Sequence, residues 1–341
     1  MSLKNLSVKS KIPKLFKDKL KNKKISYIFN KLEKSLTIDQ DFLVAVSGGP
    51  DSLALAFLSK IYSLKNRLNT RFVIVDHKLR PESTKEARLV KRVLKKYHIN
   101  VEILTWKGKK PTKNIQSNAR KKRYELLFKK CDKHKITNIL IGHHQDDLIE
   151  NFFIRLTRGS GLKGLISLGE IKTVGNKNLL RPLLNQKKED LIFLSKEVFN
   201  FFVNDPSNKE EKFLRIRIRK LMKELEKDGL NKKKFFKTIQ NLKHSNLVID
   251  FYVKKNLKEN CHFSSNNKII LNKEFFRQSY EVIFRAFSEI IRIVGKKENY
   301  TRGKKIDQII KNIQNNKIKK STLGGCIIKK VNQTVIITGE Y

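Results

Sequence analysis

Short apolar runs alternate with helical patterns through the first half of the chain. Four runs have the length and composition of buried strands: Phe42–Val46, Arg71–Val75, Val101–Leu104 and Asn138–Gly142. Helices predicted between and after them, from apolar residues three and four positions apart, cover Ser52–Lys65, Thr84–Tyr97, Ile115–Lys133 and Asp146–Thr157. This alternation predicts an α/β fold with a doubly wound parallel sheet of the Rossmann type, whose ligands bind at the carboxyl ends of the strands.

The pattern changes after Asp205-Pro206-Ser207, where strand-like runs give way to helical ones. The helices predicted in this half cover Phe213–Lys227, Lys233–Leu257, Glu274–Val294 and Lys304–Asn315. A β-hairpin is predicted over Thr322–Thr338. We therefore expect three domains: the α/β domain over 1–210, a helical domain over 211–300, and a small α+β element with the hairpin over 301–341.

The chain is strongly basic. Lys and Arg total 76 against 32 Asp and Glu, which gives a formal net charge of +44 over 341 residues. Such an excess creates a positive surface potential that favours a polyanionic partner such as nucleic acid. Abundant Lys, Asn and Ile also fit an AT-rich genome, so part of the lysine excess has a compositional explanation.

Cysteine usage and hydropathy define the expected compartment. Cys131, Cys261 and Cys326 are widely spaced and no CxxC pair occurs, so neither a zinc ribbon nor a sulfur-carrying cluster is supported. A sparse, odd set of cysteines fits a reducing cytosol. The basic N-terminal segment lacks an apolar core, and no stretch approaches the roughly 20 apolar residues of a membrane span. We expect a soluble cytoplasmic protein with no membrane contact.

The first candidate site is the loop SGGPDS after the first predicted strand, in the stretch VAVSGGPDSLAL. A strand that leads through small residues into a helix N-terminus forms an anion site, because free N–H groups and the helix dipole face the ligand. Gly48 and Gly49 allow close approach of the backbone, and Ser47 and Ser52 can donate to phosphate oxygens. Asp51 fits beside phosphate if Mg²⁺ bridges the two. The alternative is a glycine turn with a capping Asp or Ser.

Two further stretches flank the expected nucleotide. VDHKLRPES follows the second strand and places Asp76 and His77 where the adenosine half of a nucleotide would lie; the alternative is a solvated loop. NIQSNARKKRY places Arg120 and Arg123 on one helical face, which suits phosphate binding; the alternative is a solvated basic face.

The richest stretch is GHHQDDLIENFFIRLTRGSG, which begins at Gly142 after the fourth strand. His143, Asp147 and Glu150 are spaced to share one helical face, and His144 stands at its start. Histidines and acids at this density indicate metal or acid–base chemistry, beyond what one helix cap explains.

Together these stretches resemble one family, tRNA(Ile)-lysidine synthetase, within the PP-loop pyrophosphatases. The matching motifs, in order, are SGGxDS, DHxLRxES, the AR-x₂-RY run, GHHxDDxxENFFxRLxRGSG, RPLL at Arg181–Leu184 and DPSN at Asp205–Asn208. The resemblance covers roughly residues 40–220. One departure is Ile216, which stands where the family often has Asn, although Arg215 and Arg219 on either side are kept.

The resemblance implies that ATP adenylates the wobble cytidine of a CAU-anticodon tRNA(Ile), and that free lysine then displaces AMP to form lysidine. It implies ATP and Mg²⁺ as cofactors, with Asp51 and Asp147 as metal ligands. The expected catalytic residues are Asp51, Arg120, His143, Asp147 and Glu150. The expected nucleotide-binding residues are Ser47, Gly48, Gly49, Pro50, Asp51, Ser52, Asp76 and His77.

Several points stay open at this stage. Asp147 or Glu150 could hold the lysine ammonium, His143 is a candidate for proton transfer, and the sequence does not assign these roles individually. The oligomeric state is open, with a homodimer as one alternative. Two other functions are considered: another PP-loop tRNA-modifying enzyme, such as a cytidine thiolase, and a non-catalytic basic RNA-binding protein.

Overall fold

The four predicted parallel strands are present and form the centre of one sheet. A computed structural model describes residues 12–108, 110–204, 214–265, 268–297 and 299–340. The Asp205–Asn208 motif and Phe213, both noted in the sequence, lie outside these described residues. The chain forms two compact units, Met1–Phe236 and Lys237–Tyr341. The division into 1–210, 211–300 and 301–341 stays a prediction.

The described part of the first unit contains a six-stranded sheet with the order β3-β2-β1-β4-β6-β5. Its strands are β1 (Phe42–Val46), β2 (Thr70–Asp76), β3 (Val101–Thr105), β4 (Asn138–Ile141), β5 (Ile171–Val174) and β6 (Lys177–Leu180). All neighbours are parallel except β5 and β6, which form an antiparallel hairpin at one edge. The predicted α/β fold with a parallel sheet is confirmed.

Helices cover both faces of this sheet, as a doubly wound order requires. The helices among the described residues of this unit are α1 (Lys14–Leu20), α2 (Lys23–Ser35), α3 (Pro50–Asn66), α4 (Ser83–Lys95), α5 (Ile115–Lys133), α6 (Gln145–Leu156), α7 (Leu162–Leu165), α8 (Lys188–Phe199) and α9 (Leu214–Lys227). The helix α10 (Lys232–Glu259) starts in the first unit and continues into the second. The central helix α3 packs against β1 and α8 and is buried along most of its length, which explains its run of Leu, Ala and Phe.

The second unit contains an antiparallel sheet with the order β7-β8-β11-β10-β9 among the described residues. Its elements are β7 (Cys261–Ser265), β8 (Lys268–Leu271), a 3₁₀ helix (Lys273–Arg277), α11 (Tyr280–Val294), α12 (Gly303–Gln314), β9 (Lys320–Leu323), β10 (Cys326–Val331) and β11 (Thr334–Gly339). An isoleucine-rich core lies between the sheet and helices α11 and α12.

Two elements of this unit differ from their predictions for local reasons. The hairpin predicted over Thr322–Thr338 is a three-stranded meander, because Gly324 and Gly325 both adopt positive φ and turn the chain between β9 and β10. The helix predicted over Glu274–Val294 is interrupted before α11, where Ser279 has extended ψ in front of Tyr280.

Within the residues described, no helix combines the length and apolar character needed to cross a bilayer.

Substitution of Phe57 on α3 tests how much core packing stabilises the first unit. The side chain of Phe57 is fully buried, and its ring packs 5.5 Å from Phe16 and 6.2 Å from Phe199 between ring centroids. We expect Phe57→Ala to lower the free energy of unfolding by about 3–5 kcal/mol, because it removes apolar contacts and leaves a cavity. Urea unfolding followed by circular dichroism measures the change. Leu89→Ala, at an exposed position of α4, should change it by less than about 0.5 kcal/mol. Equal losses in the two variants would contradict this packing.

Candidate active site

The site lies where the sheet reverses its strand order. β1 pairs with β2 on one side and with β4 on the other, so the carboxyl ends of β1 and β4 are neighbours. Gly142, directly after β4, packs against the start of α3. A Cβ at Gly142 would lie 3.1 Å from the carbonyl carbon and oxygen of Asp51 and 3.2 Å from Cα of Ser52. Glycine therefore allows the two loops, one after each strand, to form a single site.

The loop after β1 is organised by the buried hydroxyl of Ser52. Its Oγ accepts the N–H groups of Ser47 at 3.0 Å and Gly48 at 3.1 Å, and donates to the carbonyl of Gly49 at 3.0 Å. Ser52 was expected to donate to phosphate, but its hydroxyl is used within the loop. The hydroxyl of Ser47 donates to Oγ of Ser52 at 3.1 Å, but Ser47 is exposed, so of the two serines it is the one that a ligand can reach.

The loop conformation requires glycine at one position. Gly48 has φ +89°, and a Cβ there would lie 2.7 Å from Cγ2 of Val90. Its carbonyl accepts the N–H of Val203 at 2.9 Å. Pro50 occupies the first turn of α3, and its carbonyl accepts a hydrogen bond from the buried Ser195 of α8 at 2.7 Å. A helix N-terminus fixed in this way has the geometry of an anion site.

His144 connects the two loops. Its Nε2 lies 3.6 Å from Oδ2 of Asp51 and 3.5 Å from Oδ2 of Asp147. Its backbone N–H donates to the same Asp147 oxygen at 3.0 Å, and its Nδ1 accepts the N–H of Asp146 at 3.2 Å. The imidazole is therefore both the N-cap of α6 and the contact between two carboxylates.

The pKa values of these two buried carboxylates are shifted in opposite directions. Burial raises the pKa of Asp51, and the nearby charge of Asp147 adds to the increase although His144 acts against it. Burial also acts to raise the pKa of Asp147, but His144, His143 and Arg215 outweigh it and hold that pKa below its usual value. Asp147 thus remains ionised, while Asp51 is the carboxylate that gains most from an added cation.

His143 faces the other side of the site. Its Nδ1 accepts a hydrogen bond from Nε of the buried Arg181 at 3.0 Å. Burial, together with the charges of Arg181, Arg120 and Arg215, lowers its pKa to about 4 although Asp147 acts in the opposite direction. The ring is therefore neutral near pH 7 and carries its proton on Nε2. This arrangement favours orienting a substrate over accepting a proton.

Arg120, on α5, is exposed and stacks on its neighbour. Its guanidinium lies 5.3 Å from the centroid of the Tyr124 ring and donates to the tyrosine hydroxyl at 3.3 Å. Its charge contributes to the lowered pKa of His143. An exposed guanidinium held in this way is suited to a phosphate group.

Glu150 is already paired inside the protein. Its carboxylate is buried and accepts from Nε of Arg219 at 2.5 Å and from Nη2 at 3.3 Å, while Nε of Arg215 lies 3.5 Å away. A lysine ammonium would have to compete with two guanidiniums for this carboxylate. The expected role of Glu150 toward lysine stays a prediction, and the contacts indicate that it orients the two arginines. Ile216, between them in sequence, is buried.

Asp76 and His77 lie at the end of β2. The buried carboxylate of Asp76 accepts from Ser83, Thr84 and the N–H of Lys78 at 2.6–2.9 Å. It therefore shapes its own loop, and its predicted contact with the nucleotide would have to be indirect. His77 packs edge-on to Trp106 at 6.0 Å, and burial and the charge of Arg123 lower its pKa to about 4. Both of its ring nitrogens are buried without a hydrogen-bond partner among the described residues.

The residues offer one clear ligand to a hard cation. Oδ1 of Asp51 is buried and has no hydrogen-bond partner in the described part of the chain, so a cation would satisfy it. Asp147 fits less well, because its Oδ2 already accepts the His144 N–H. Among the described residues, no group of three or more His, Cys, Asp or Glu side chains is arranged to hold a metal. A cation here would depend on Asp51 and on oxygens of the substrate.

Three residues that contact the expected site residues were not predicted from the sequence to belong to the site: His144, Arg181 and Arg219. His144 and Arg181 stand inside the quoted motifs, but a motif does not tell which of two adjacent histidines faces inward. Arg219 follows in a separate helix, where it is four residues from Arg215 and shares a helical face with it.

Comparisons with known proteins agree with this architecture. Residues 18–225 match the PP-loop domain family. The chain is 36% identical to the tRNA(Ile)-lysidine synthase of Orientia tsutsugamushi, over 87% of this chain and 69% of that relative. It is 30% identical to the tRNA(Ile)-lysidine synthase of Wolbachia pipientis wMel, over 91% of this chain and 73% of that relative.

A solved structure is similar in fold. The U34-tRNA thiolase NcsA from Methanococcus maripaludis, with its 4Fe-4S cluster, aligns with a TM-score of 0.55 at 19% identity. The alignment covers 65% of this chain and 78% of that one. At this identity the similarity shows a common fold and nothing of the chemistry.

The lowered pKa of His143 predicts a pH-dependent stability. Between about pH 6.5 and about pH 4 the unfolded chain binds a proton that the folded chain does not, so this contribution is lost as pH falls through that window. His143→Gln keeps an oxygen acceptor for Arg181 but does not titrate. We expect the decrease in unfolding free energy from pH 7 to pH 4.5 to be smaller in the variant by about 1–2 kcal/mol, measured by urea unfolding. An unchanged pH dependence would contradict the buried, neutral state of His143.

Proposed function

Because this chain belongs to the tRNA(Ile)-lysidine synthase family of PP-loop enzymes, we propose that it uses ATP to join lysine to the wobble cytidine of a CAU-anticodon tRNA(Ile). The product, lysidine, changes the codon and the amino-acid specificity of that tRNA from Met to Ile. The observation that carries this proposal is the meeting of the SGGPDS loop and the GHHQDD segment through His144, in a chain related to these enzymes over most of its length.

The proposed reaction has two steps. In the first, O2 of the cytosine attacks the α-phosphorus of ATP, the bond to the β-phosphate oxygen breaks, and pyrophosphate leaves. In the second, the ε-amine of lysine attacks C2, AMP leaves with O2, and the amine gives up its proton. Adenylation is needed because the oxygen is otherwise a poor leaving group, so the site must stabilise charge on the phosphates.

The first step is supported by the loop after β1. The N-terminus of α3 supplies N–H groups and a positive dipole for the phosphates, and exposed Ser47 supplies a hydroxyl. The unpartnered Oδ1 of Asp51 is suited to Mg²⁺, which would neutralise phosphate charge when bound. Arg120 would approach the phosphates from α5, where its side chain is exposed.

The second step requires an amine without its proton. His143 is a weak base in this setting and offers Nε2–H, so we assign it an orienting role toward the cytosine or the lysine. Asp147, which stays ionised, is the remaining candidate to attract the lysine ammonium. Glu150 would act through Arg215 and Arg219, which it holds at the site.

The tRNA would bind mainly through its phosphates. The net charge of +44 provides an excess of cationic side chains for this, and binding of that kind weakens as salt rises. The wobble base must leave its stack to reach the site, at a cost of roughly a few kcal/mol. An anticodon loop is single-stranded, which lowers that cost.

The cysteines do not favour the thiolase alternative. All three are free and buried: Cys131 in the core below the first sheet, and Cys261 and Cys326 in the core of the second unit. Burial raises the pKa of each thiol to about 11, which disfavours the thiolate needed for sulfur transfer or cluster binding.

Lysine incorporation is the direct test of the proposal. Purified protein is incubated with ATP, Mg²⁺, labelled lysine and a CAU-anticodon tRNA(Ile) transcript. We expect label in the tRNA, dependent on ATP, because the amine replaces the cytosine oxygen only after adenylation.

The matched control is the same transcript with the wobble cytidine replaced by uridine, which should take up no label. Protein that binds the tRNA and hydrolyses ATP but leaves it unlabelled would overturn the proposal.

Asp51→Asn separates adenylation from tRNA binding. The amide lacks the negative charge that attracts a cation, so we expect tRNA-dependent ATP–pyrophosphate exchange to fall by at least about thirtyfold. Affinity for tRNA, measured by filter binding, should stay within about twofold, because that binding is spread over many basic residues. Asp18→Asn, in an exposed ion pair of α1, is the matched control and should leave both unchanged. Equal losses of exchange and affinity in Asp51→Asn would place Asp51 outside the nucleotide site.

A further inference from the structure

We propose that His144 is a positioning residue that holds the carboxylates of Asp51 and Asp147 with one ring proton, and so keeps Oδ1 of Asp51 directed away from protein donors. This inference deepens the proposed function, because it assigns the residue that prepares Asp51 for the nucleotide. His144 is not among the residues expected from the sequence to act in catalysis.

The tautomer of His144 follows from its contacts. Nδ1 accepts the backbone N–H of Asp146 at 3.2 Å, so that nitrogen carries no proton. The ring proton must then be on Nε2, which faces Oδ2 of Asp51 at 3.6 Å and Oδ2 of Asp147 at 3.5 Å. Contacts of this length are weak in isolation, and such contacts commonly tighten when a substrate binds.

The proton on Nε2 of His144 can offset the repulsion between the carboxylates of Asp51 and Asp147. Asp51 lies in the first turn of α3, after β1, and Asp147 lies in the first turn of α6, after β4, so two like charges from separate helices approach one another. Their repulsion contributes to the raised pKa of Asp51. A donor between their Oδ2 atoms attracts both carboxylates, and it leaves Oδ1 of Asp51 as the unpartnered oxygen. His144 is 2% exposed, so water does not readily replace it.

Helix capping alone does not require this ring. The capping interactions use the backbone N–H of His144 and its Nδ1, and a shorter polar side chain at an N-cap makes equivalent bonds. Only Nε2, on the far side of the ring, reaches Asp51. The two functions of the side chain can therefore be separated by substitution.

Two variants separate them. His144→Asn keeps a good N-cap oxygen but has no donor at the position of Nε2. His144→Gln is longer, and its amide nitrogen can reach the carboxylates in place of Nε2. The first measurement is equilibrium binding of ATP with Mg²⁺ by calorimetry, and the second is tRNA-dependent ATP–pyrophosphate exchange. Thermal unfolding of each variant shows whether the fold is retained.

We expect His144→Asn to unfold near the wild-type temperature, yet to lose about tenfold or more in ATP·Mg²⁺ affinity and in exchange rate. His144→Gln should stay within about threefold of wild type in both. The inference is overturned if His144→Asn binds and exchanges like wild type, or if His144→Gln is as impaired as His144→Asn. The binding measurement does not depend on lysine transfer. A failure of the lysidine assay would thus count against the proposed function and leave this test decisive for His144.

Discussion

The close approach of two loops at the reversal of strand order is the constraint on which the rest of the site depends. Parallel pairing of β1 with β4 brings Ser47 and Gly142 to one edge of the sheet. A side chain at Gly142 would press on the backbone of Asp51 and separate the loops. Because the loops meet, His144 can contact Asp51, and the helix dipoles of α3 and α6 begin at the same place. The sheet topology therefore produces a charged site from segments about a hundred residues apart in the chain.

The site then has to hold many charges in a partly buried volume. Asp51, Asp147 and Glu150 are balanced by Arg181, Arg215 and Arg219, and His143 is uncharged near pH 7. A neutral His143 serves this balance, because an imidazolium there would add to an already cationic surface. The arrangement leaves Asp51 as the least compensated carboxylate, since its pKa is raised while that of Asp147 is lowered. A substrate that carries phosphate groups together with a bound cation would compensate the charge of the Asp51 carboxylate.

The sequence predicted the local elements of this fold well and the long-range contacts less well. Strands β1 to β4 and helix α5 were predicted within one or two residues, because buried apolar runs and helical periodicity are properties of neighbouring residues. The β5–β6 hairpin, α8 and the β7–β8 pair were not predicted. β5 is exposed throughout, so it has no apolar pattern to detect. Gly324 and Gly325 were assigned to a strand, although their positive φ values form the turn.

The same distinction applies to the site residues. Ser47, His77 and Gly142 directly follow β1, β2 and β4, so the expected loops start at the carboxyl ends of these strands. The hydrogen-bond partners of these residues could not be predicted from the spacing of residues in the sequence. Ser52 was expected to face phosphate but completes its own loop, and Asp76 likewise holds the residues that follow it. A hydroxyl or carboxylate near a phosphate-binding loop can serve either the ligand or the loop, and only the contacts decide between these uses.

Side-chain contacts connect helix α9 and the start of α10 to helix α6 of the first unit. The domain boundary predicted at residue 210, which stays a prediction, falls between Glu150 on α6 and its partner Arg219 on α9. The compact unit Met1–Phe236 includes both residues, and within it Phe235 stacks on Phe153 at 5.1 Å between ring centroids. A change of hydrophobic pattern is a property of neighbouring residues, whereas the ion pair and the aromatic contacts join residues that are distant in the chain. Since Arg215 and Arg219 both contact the buried carboxylate of Glu150, the helical segment after the sheet lies beside the candidate active site.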